Sequence, residues 1–247
     1  MATVRRPATR ARSAIFAPLG DEGRAVRVEN RLAEAIRSGV LADGERLPSE
    51  PELAAMLGVA TVTAREALVA LRAQGLVTTT RGRGGGSFVT QPAPSGPAEL
   101  SSRLASMSRV ELRDRGTIYG VILAGCAELA AERADATDIE GLRDLLIDRD
   151  ETDVGLWRHA DSELYLSVAA LTQSARMTRE VVRLEADFGA LLRLPLTDPD
   201  FRVAAASRHL ALVDAIEAHA SDAARRCVRM HVADSLERLA DLHAAVP

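Results

Sequence analysis

Three short helical patterns followed by a glycine-rich hairpin occupy residues 24–90, and this order constrains the fold more than any other feature of the chain. The first pattern begins near Arg24 with apolar residues at helical spacing, and the second begins at Ser49. Each pattern stops at a glycine, a residue that commonly follows the last turn of a helix. These glycines are Gly39, Gly58 and Gly75.

Two β-prone segments follow the third helix, Leu76–Thr80 and Ser87–Thr90. They flank the loop 81–86, with the sequence RGRGGG, whose glycines allow the chain to reverse direction. Three helices and a glycine-tipped hairpin in this order predict a winged helix-turn-helix.

Side chains that cap helices mark several further boundaries. Ser49 and Glu52 have the spacing of a capping box at the second helix, and Thr63 and Glu66 repeat that spacing in the third. Further along the chain, three residues are predicted to be N-caps: Thr137, Asp198 and Ser221.

Residues 91–98 contain three prolines and a glycine, which cannot propagate a helix. The sequence therefore predicts a mostly α protein in four parts: a basic, disordered arm at 1–23, the winged helix-turn-helix at 24–90, a linker at 91–98 and an all-helical bundle at 99–247. Helical patterns predict the helices of the bundle at about 108–134, 137–151, 153–171, 174–193, 200–219 and 221–243.

The charges are unevenly divided between the two ends of the chain. Residues 1–92 carry 13 Arg against 9 acidic residues, whereas the remainder carries 18 Arg against 26 acidic residues. A basic front and an acidic rear favour a polyanionic partner for the front alone. No apolar run approaches the roughly 20 residues that span a bilayer, and no signal peptide is recognisable, so we expect a cytoplasmic protein without membrane contact.

In a helix-turn-helix, the first turn of the second helix of the pair reaches base edges in the major groove. Here that helix carries Thr61, Thr63 and Arg65, and the hairpin adds two arginines among glycines, which suit phosphate contacts. Taken singly, the hairpin could be a flexible loop and Arg65 a solvated helix residue; together they favour double-stranded DNA. The candidate DNA-binding residues are Ser49, Glu50, Thr61, Thr63, Arg65, Arg81, Gly82 and Arg83.

These residues resemble the N-terminal domain of the GntR superfamily of bacterial regulators. The matching strings are Gly44–Glu50, Glu52–Ala54, Arg65–Leu68, Gly75–Val77 and Gly84 with Phe88-Val89. The resemblance implies a homodimer on pseudo-palindromic operators. The chain departs from the family at Pro51 and at Ala60-Thr61-Val62, where relatives often carry DNA-contacting arginines, so we expect a different base preference.

Polar side chains lie on apolar faces of the second half. Asp161 lies between Trp157 and Leu164, His209 shares a face with Val213, and His231 is on the last helix. A buried carboxylate requires a cationic partner, because an unpaired buried charge costs several kcal/mol. Either a metal or an imidazolium would satisfy this requirement.

This half resembles the FCD-type effector domain of GntR regulators through Leu129–Ala134, Asp161 and the two histidines. Many such domains hold a divalent metal with one Asp and three His. Carried over, the ligands are Asp161, His209 and His231, with Tyr165 in place of the first His. The resemblance thus implies Zn, Ni or Mn, and the alternative is an Asp–His network without any metal.

The effector is not identified by the sequence. Relatives clamp an organic acid with an arginine where this chain has Tyr119, and Arg158, Arg208 or Arg229 could substitute. Because no phosphate loop, nucleophile elbow or HExxH motif is present, we do not expect an enzyme. The pI near 5.8 argues against an architectural DNA protein. We expect a sequence-specific repressor whose operator affinity responds to a small molecule bound in the helical domain.

Overall fold

The computed structural model of the chain describes residues 15–16, 23–82, 84–91, 97–146 and 153–245. The described residues divide into two compact units, one between 15 and 91 and one between 97 and 245. Most of the predicted arm, the 92–96 part of the predicted linker, and Arg83 lie outside the described residues. Ile15 and Phe16 are buried, so the predicted disorder of the arm is wrong for these two residues.

The first unit is a winged helix-turn-helix, as predicted. Its elements are α1 (Arg24–Arg37), α2 (Glu50–Leu57), α3 (Thr61–Ala73), β1 (Val77–Thr80) and β2 (Gly86–Val89). The two strands are antiparallel, with Val77 opposite Val89 and Thr80 opposite Gly86. An isolated bridge between Arg46 and Phe88 attaches the segment before α2 to the hairpin.

Leucines from all three helices form the core of this unit, and Val77 and Val89 close it from the sheet. The predicted capping box starts α2: the Ser49 backbone N–H donates to the Glu52 carboxylate at 2.9 Å, and the Ser49 hydroxyl donates to it at 2.7 Å. Gly58 ends α2 in the left-handed region, with φ of 67°.

The predicted capping box at Thr63 and Glu66 is wrong. α3 begins two residues earlier, at Thr61, and Ala60 is its N-cap with no capping side chain. Thr63 therefore lies within the helix, where its backbone N–H belongs to the first turn.

The second unit is an all-helical bundle, as predicted. Its elements are α4 (Pro97–Ser106), α5 (Arg109–Arg133), α6 (Ala136–Asp144), α7 (Val154–Leu171), α8 (Ala175–Leu184), a π-helical turn (Glu185–Gly189), α9 (Ala190–Leu192), a 3-10 turn (Leu194–Thr197), α10 (Pro199–Glu217) and α11 (Ser221–Ala245).

Helix α5 is the centre of the bundle and packs most extensively against α11, with further contacts to α7, α8 and α10. Two glycines of α5 allow this close approach. A Cβ at Gly116 would overlap the Leu236 side chain, and one at Gly120 would lie 3.2 Å from Val232 Cγ1. The close packing of α5 and α11 holds the polar residues on α10 and α11 in fixed positions.

Four features of the bundle differ from the sequence prediction. The helix predicted at 137–151 ends at Asp144, and residues 147–151 of that prediction lie outside the described residues. α4 was not predicted, and it begins at Pro97 inside the predicted linker because proline is tolerated in a first helical turn. Asp135, and not Thr137, caps α6 by accepting from the Asp138 backbone N–H at 2.9 Å. The helix predicted at 174–193 is interrupted by the π-helical turn.

Among the described residues, no single helix has both the length and the apolar composition of a membrane span. Only α2 and α3 taken together, across a bend of 110°, meet these two criteria.

Candidate functional site

Helix α3 presents its first turn to solvent, with Thr61 and Val62 exposed and Thr63 half-buried. Arg65 is also exposed, and its Nε lies 2.8 Å from Oε2 of Glu50 at the start of α2. This ion pair joins the two helices of the helix-turn-helix and brings two predicted DNA-binding residues into contact. The first turn of α3 therefore carries no cation of its own, and Arg65 begins the second turn with a carboxylate beside it.

The wing is attached to the loop before α2 by Arg46, whose Nη2 donates to the Gly85 carbonyl at 2.7 Å. At the tip of the wing, Arg81 is exposed and Gly82 has φ of 101°, a conformation that favours glycine. The predicted contact residue Arg83 lies outside the described residues. The candidate DNA-binding face therefore consists of the first two turns of α3, the start of α2 and the described part of the wing.

In the second unit, Asp161 from α7, His209 from α10 and His231 from α11 form a buried polar cluster. The Nε2 atoms of His209 and His231 lie 3.0 Å and 3.5 Å from Asp161 Oδ1. One potential ligand atom from each residue lies within 4.8 Å of the others. Three residues that are far apart in the sequence thus converge on one point in the core.

Arg193 is the unpredicted member of this site. Its Nε donates to Asp161 Oδ2 at 2.9 Å, and its Nη2 pairs with the carboxylate of Glu185. Tyr119 donates its hydroxyl proton to the other oxygen of Glu185. All of these side chains are buried. The arrangement Tyr119–Glu185–Arg193–Asp161 is a continuous buried network that leads to the cluster.

A sequence signal for Arg193 exists, because it is the one charged residue in the apolar run Ala190–Leu196. Glu185, eight residues earlier, lies in the π-helical turn. A charged residue inside such a run is buried with a partner or marks a site. Its partner could not be read from the sequence because Asp161 lies on a different helix.

Electrostatics keep Asp161 ionised. Burial acts to raise the pKa of Asp161, but polar contacts with His209 and His231 and the charge of Arg193 outweigh burial and hold that pKa well below its usual range. The cluster therefore contains a carboxylate whose Oδ2 is bound by a guanidinium and whose Oδ1 faces two imidazoles.

Tyr165, the residue predicted to stand in for a metal-binding histidine, lies next to both imidazoles. Its ring centroid is 5.8 Å from that of His209 and 5.5 Å from that of His231. Burial and the Asp161 charge raise the pKa of Tyr165 well above its usual range, so it is a neutral phenol. A neutral phenol is a hydrogen-bond donor and a poor metal ligand.

Of the three arginines considered as anion-binding residues, two lie near the cluster. Arg158 precedes Asp161 by one turn of α7, and its Nε and Nη2 are buried without a hydrogen-bond partner among the described residues. Burial and the nearby Arg193 charge lower the pKa of Arg158. Arg208 stacks over Phe201 and pairs with Asp234, whereas Arg229 is exposed.

The residues of the cluster suit a divalent metal. Asp161 Oδ1 is buried and lies within 3.5 Å of the Nε2 atoms of both histidines. Ligand atoms bound to one Zn²⁺ at roughly 2.0–2.1 Å lie about 3 Å or slightly more apart, which agrees with the two distances from Asp161 Oδ1.

The remaining histidines lie away from the cluster. His159 is exposed on α7, 3.6 Å from Glu163. His219 Nδ1 and His243 Nε2 each lie within hydrogen-bonding distance of a backbone carbonyl, those of Ala131 and Met107. His159 is therefore a suitable control position for experiments on the cluster.

Comparison with known proteins agrees with this architecture. The family described as bacterial regulatory proteins, gntR family, matches residues 24–89, and the FCD domain matches residues 117–234. RmpR of Mycobacterium gastri, which is named an HTH-type transcriptional regulator, is 35% identical over 240 residues, covering 93% of this chain and 85% of RmpR. The chain belongs to the GntR family of bacterial regulatory proteins.

Two further proteins are similar to this GntR-family chain, one in sequence and one in fold. The HTH-type transcriptional repressor NanR of Citrobacter rodentium is 28% identical over 239 residues, covering 92% of this chain and 89% of NanR. The solved structure of E. coli McbR/YncC has a similar fold, with a TM-score of 0.51 at 18% identity over 90% of this chain and 99% of that one. The chain is thus a DNA-binding transcriptional regulator with an FCD effector-binding domain.

Proposed function

We propose that this GntR-family regulator is a homodimeric repressor that releases or retains its operator according to what is bound at the cluster of Asp161, His209 and His231. The observation that carries the proposal is the buried Oδ1 atom of Asp161, which lies 3.0 Å and 3.5 Å from the Nε2 atoms of His209 and His231. A carboxylate oxygen beside two imidazole nitrogens is a set of ligands that suits a divalent cation. The relative NanR is itself named a repressor.

The DNA-binding role is assigned to the exposed residues of the first unit. Helix α3 lies in the major groove, and its first turn meets the base edges. Thr61, Thr63 and Arg65 contribute from α3, and Ser49 and Glu50 position the start of α2 beside it. The wing tip, with Arg81, Gly82 and Arg83, contacts the phosphates. In a homodimer the two copies of α3 read half-sites about one helical turn apart.

In the bundle, Asp161, His209 and His231 would hold a divalent cation such as Zn, Ni or Mn, because a carboxylate and two imidazoles suit borderline metals. A cation held there would supply a Lewis acid that attracts an oxygen atom of the effector. Arg193 holds Asp161 in place through its Oδ2, so Oδ1 remains directed at the two histidines. Tyr165 donates a hydrogen bond at the edge of the site.

The effector is a small anion on this account. Arg158 supplies two buried donor nitrogens that have no partner in the described chain, one turn from Asp161. An unpaired buried guanidinium is costly, and a bound carboxylate or phosphate would satisfy it bidentately. Replacing Arg158 with Gln would therefore reduce the response to an anionic effector and leave metal retention unchanged.

Operator binding by the purified full chain tests this proposal. The operator is first selected from genomic fragments at near-physiological salt, and affinity is then measured by fluorescence anisotropy with chelator, Zn, Ni or Mn. We expect the affinity to change with metal for the wild type and for the control His159→Ala, and not for His209→Ala. An equal metal response in His209→Ala would contradict the cluster assignment, and the absence of any selected fragment would contradict operator binding.

A further inference from the structure

Helix α3 exposes two valines on one face. Val62, in the first turn, is 58% exposed, and Val69, two turns later, is 53% exposed. Valine is unfavourable at an exposed helical position, because its branched side chain loses rotamer freedom in a helix and its methyl groups remain in water. The two positions are seven residues apart, so both side chains point the same way.

The polar groups near Val62 do not provide the usual means of reading guanine. The first turn of α3, residues 61–64, contains no charged side chain. The nearest cation on this face, Arg65, has its Nε 2.8 Å from the Glu50 carboxylate. A guanidinium occupied by a carboxylate is less available to guanine O6 and N7, which is the contact that most often specifies a base.

Besides the hydroxyls of Thr61 and Thr63, the first turn can offer methyl groups to a base edge. In the major groove, thymine is the one base that presents an apolar group, its C5-methyl, and small apolar side chains recognise it by contact. Val62 lies in the turn that reaches the base edges when α3 occupies the groove. Val69 lies about 10 Å further along the helix and is not placed to reach the same base.

We infer that Val62 is a specificity-determining residue that reads the C5-methyl group of one thymine in each operator half-site. The inference rests on the proposed placement of α3 in the major groove. It assigns to this chain a thymine-dependent base preference in place of guanine recognition by arginine at the start of the helix. Thr61, whose side chain is also exposed and carries a methyl group, is the alternative reader.

Deoxyuridine provides a direct test, because it differs from thymidine only in lacking that methyl group. Duplexes bound by the full chain are selected from a random-sequence library, and each thymine of the selected half-site is then replaced in turn by deoxyuridine. For the wild type we expect one thymine per half-site whose replacement weakens binding about fourfold, the factor expected for one buried methyl group. For Val62→Ala, the same replacement should have no effect.

Two variants serve as controls: Val69→Ala should keep the full sensitivity to deoxyuridine, and Thr61→Ser removes the competing methyl group. Loss of the sensitivity in Thr61→Ser, with retention in Val62→Ala, would overturn the assignment to Val62. Equal sensitivity in all variants would exclude both side chains as the reader and overturn the inference. Absence of sensitivity in the wild type would overturn methyl recognition altogether. If no duplex were enriched, the DNA-binding function itself would fail and the inference with it. Circular dichroism of each variant checks that the helices are intact.

Discussion

The two units of the chain depart from the family pattern in different physical environments. In the winged helix-turn-helix, the departures Pro51, Thr61 and Val62 are all exposed. In the bundle, the departures Tyr119 and Tyr165 are buried. A substitution at an exposed position changes the surface that the domain presents to a partner and has little effect on its folding. A buried substitution must be accommodated by the side chains around it.

The bundle illustrates that accommodation. At Tyr119, where relatives carry an arginine, the hydroxyl donates to Glu185, and Glu185 pairs with Arg193. Tyr119 is thus accommodated by a buried carboxylate, and Arg193, which follows the π-helical turn, supplies a positive charge beside both Glu185 and Asp161. When a family residue is missing from a core, the side chains that accommodate its replacement have to be sought among the contacts of the site. When one is missing from an exposed surface, the change can alter binding specificity without any adjustment of the core.

The largest expected effect concerns the buried charged side chains of the bundle. Replacing Arg193 with Met would leave the carboxylates of Asp161 and Glu185 in the core without their guanidinium. We expect the free energy of unfolding of the bundle to fall by about 3–5 kcal/mol, as for other broken buried ion pairs. Urea unfolding, followed by the fluorescence of Trp157 in the bundle, measures this change.

The matched control is Arg238→Gln, because Arg238 pairs with Asp198 at a half-exposed position of the same unit. That substitution should change the free energy of unfolding by no more than about 1 kcal/mol. Similar losses of unfolding free energy in both variants would mean that the buried and the half-exposed ion pair contribute equally to stability. The contrast between buried and exposed side chains would then not hold.

Substitution of Arg65 tests the exposed surface of the winged helix-turn-helix. Arg65→Ala should weaken operator binding to a similar extent for all sequences and reduce its salt slope by about 1, while leaving the stability of the domain almost unchanged. Glu50→Gln should have the opposite effect on affinity, because it releases Arg65 and removes a negative charge from the surface that faces the phosphates. Anisotropy titrations over a range of salt concentrations measure both, and unchanged affinity in Arg65→Ala would exclude this residue from the interface.

The smallest expected effect concerns the uncharged packing of α5 against α11. Gly116→Ala should destabilise the bundle by about 1 kcal/mol, because the new methyl group displaces the half-buried Leu236 side chain. Gly125→Ala on the same helix meets no atom within 4 Å and should stabilise it by roughly 0.5–1 kcal/mol. Thermal unfolding of the two variants compares them, and destabilisation by both would contradict the packing of α5 against α11.

The sequence predicted the winged helix-turn-helix well because its boundaries depend on local signals. The Ser49–Glu52 capping box and the glycine at 58 act within a few residues, and the structure contains both. The start of α3 was misplaced because Thr63 and Glu66 imitate a capping box inside the helix. The helix α4 was missed because its first-turn proline resembles those of the preceding segment.

The bundle site was only partly predictable. Asp161, His209 and His231 were predicted from the resemblance to FCD-type domains, with support from their positions on apolar helix faces, and the structure brings them together. Arg193 and Glu185 were missed, because pairing between helices depends on tertiary packing that no periodicity encodes. Their location beside a π-helical turn, an irregularity common at functional sites, became visible only in the fold.

Isothermal titration of Zn²⁺ into the chelator-treated full chain tests the central claim that the buried cluster is a cation site. The account predicts one bound ion per chain for the wild type and for His159→Ala, and none for His209→Ala or His231→Ala. If the folded, operator-binding wild type took up no ion, or if His209→Ala bound it as tightly as the wild type, the claim would be contradicted. The Asp161 carboxylate would then be balanced by Arg193 and the imidazoles alone.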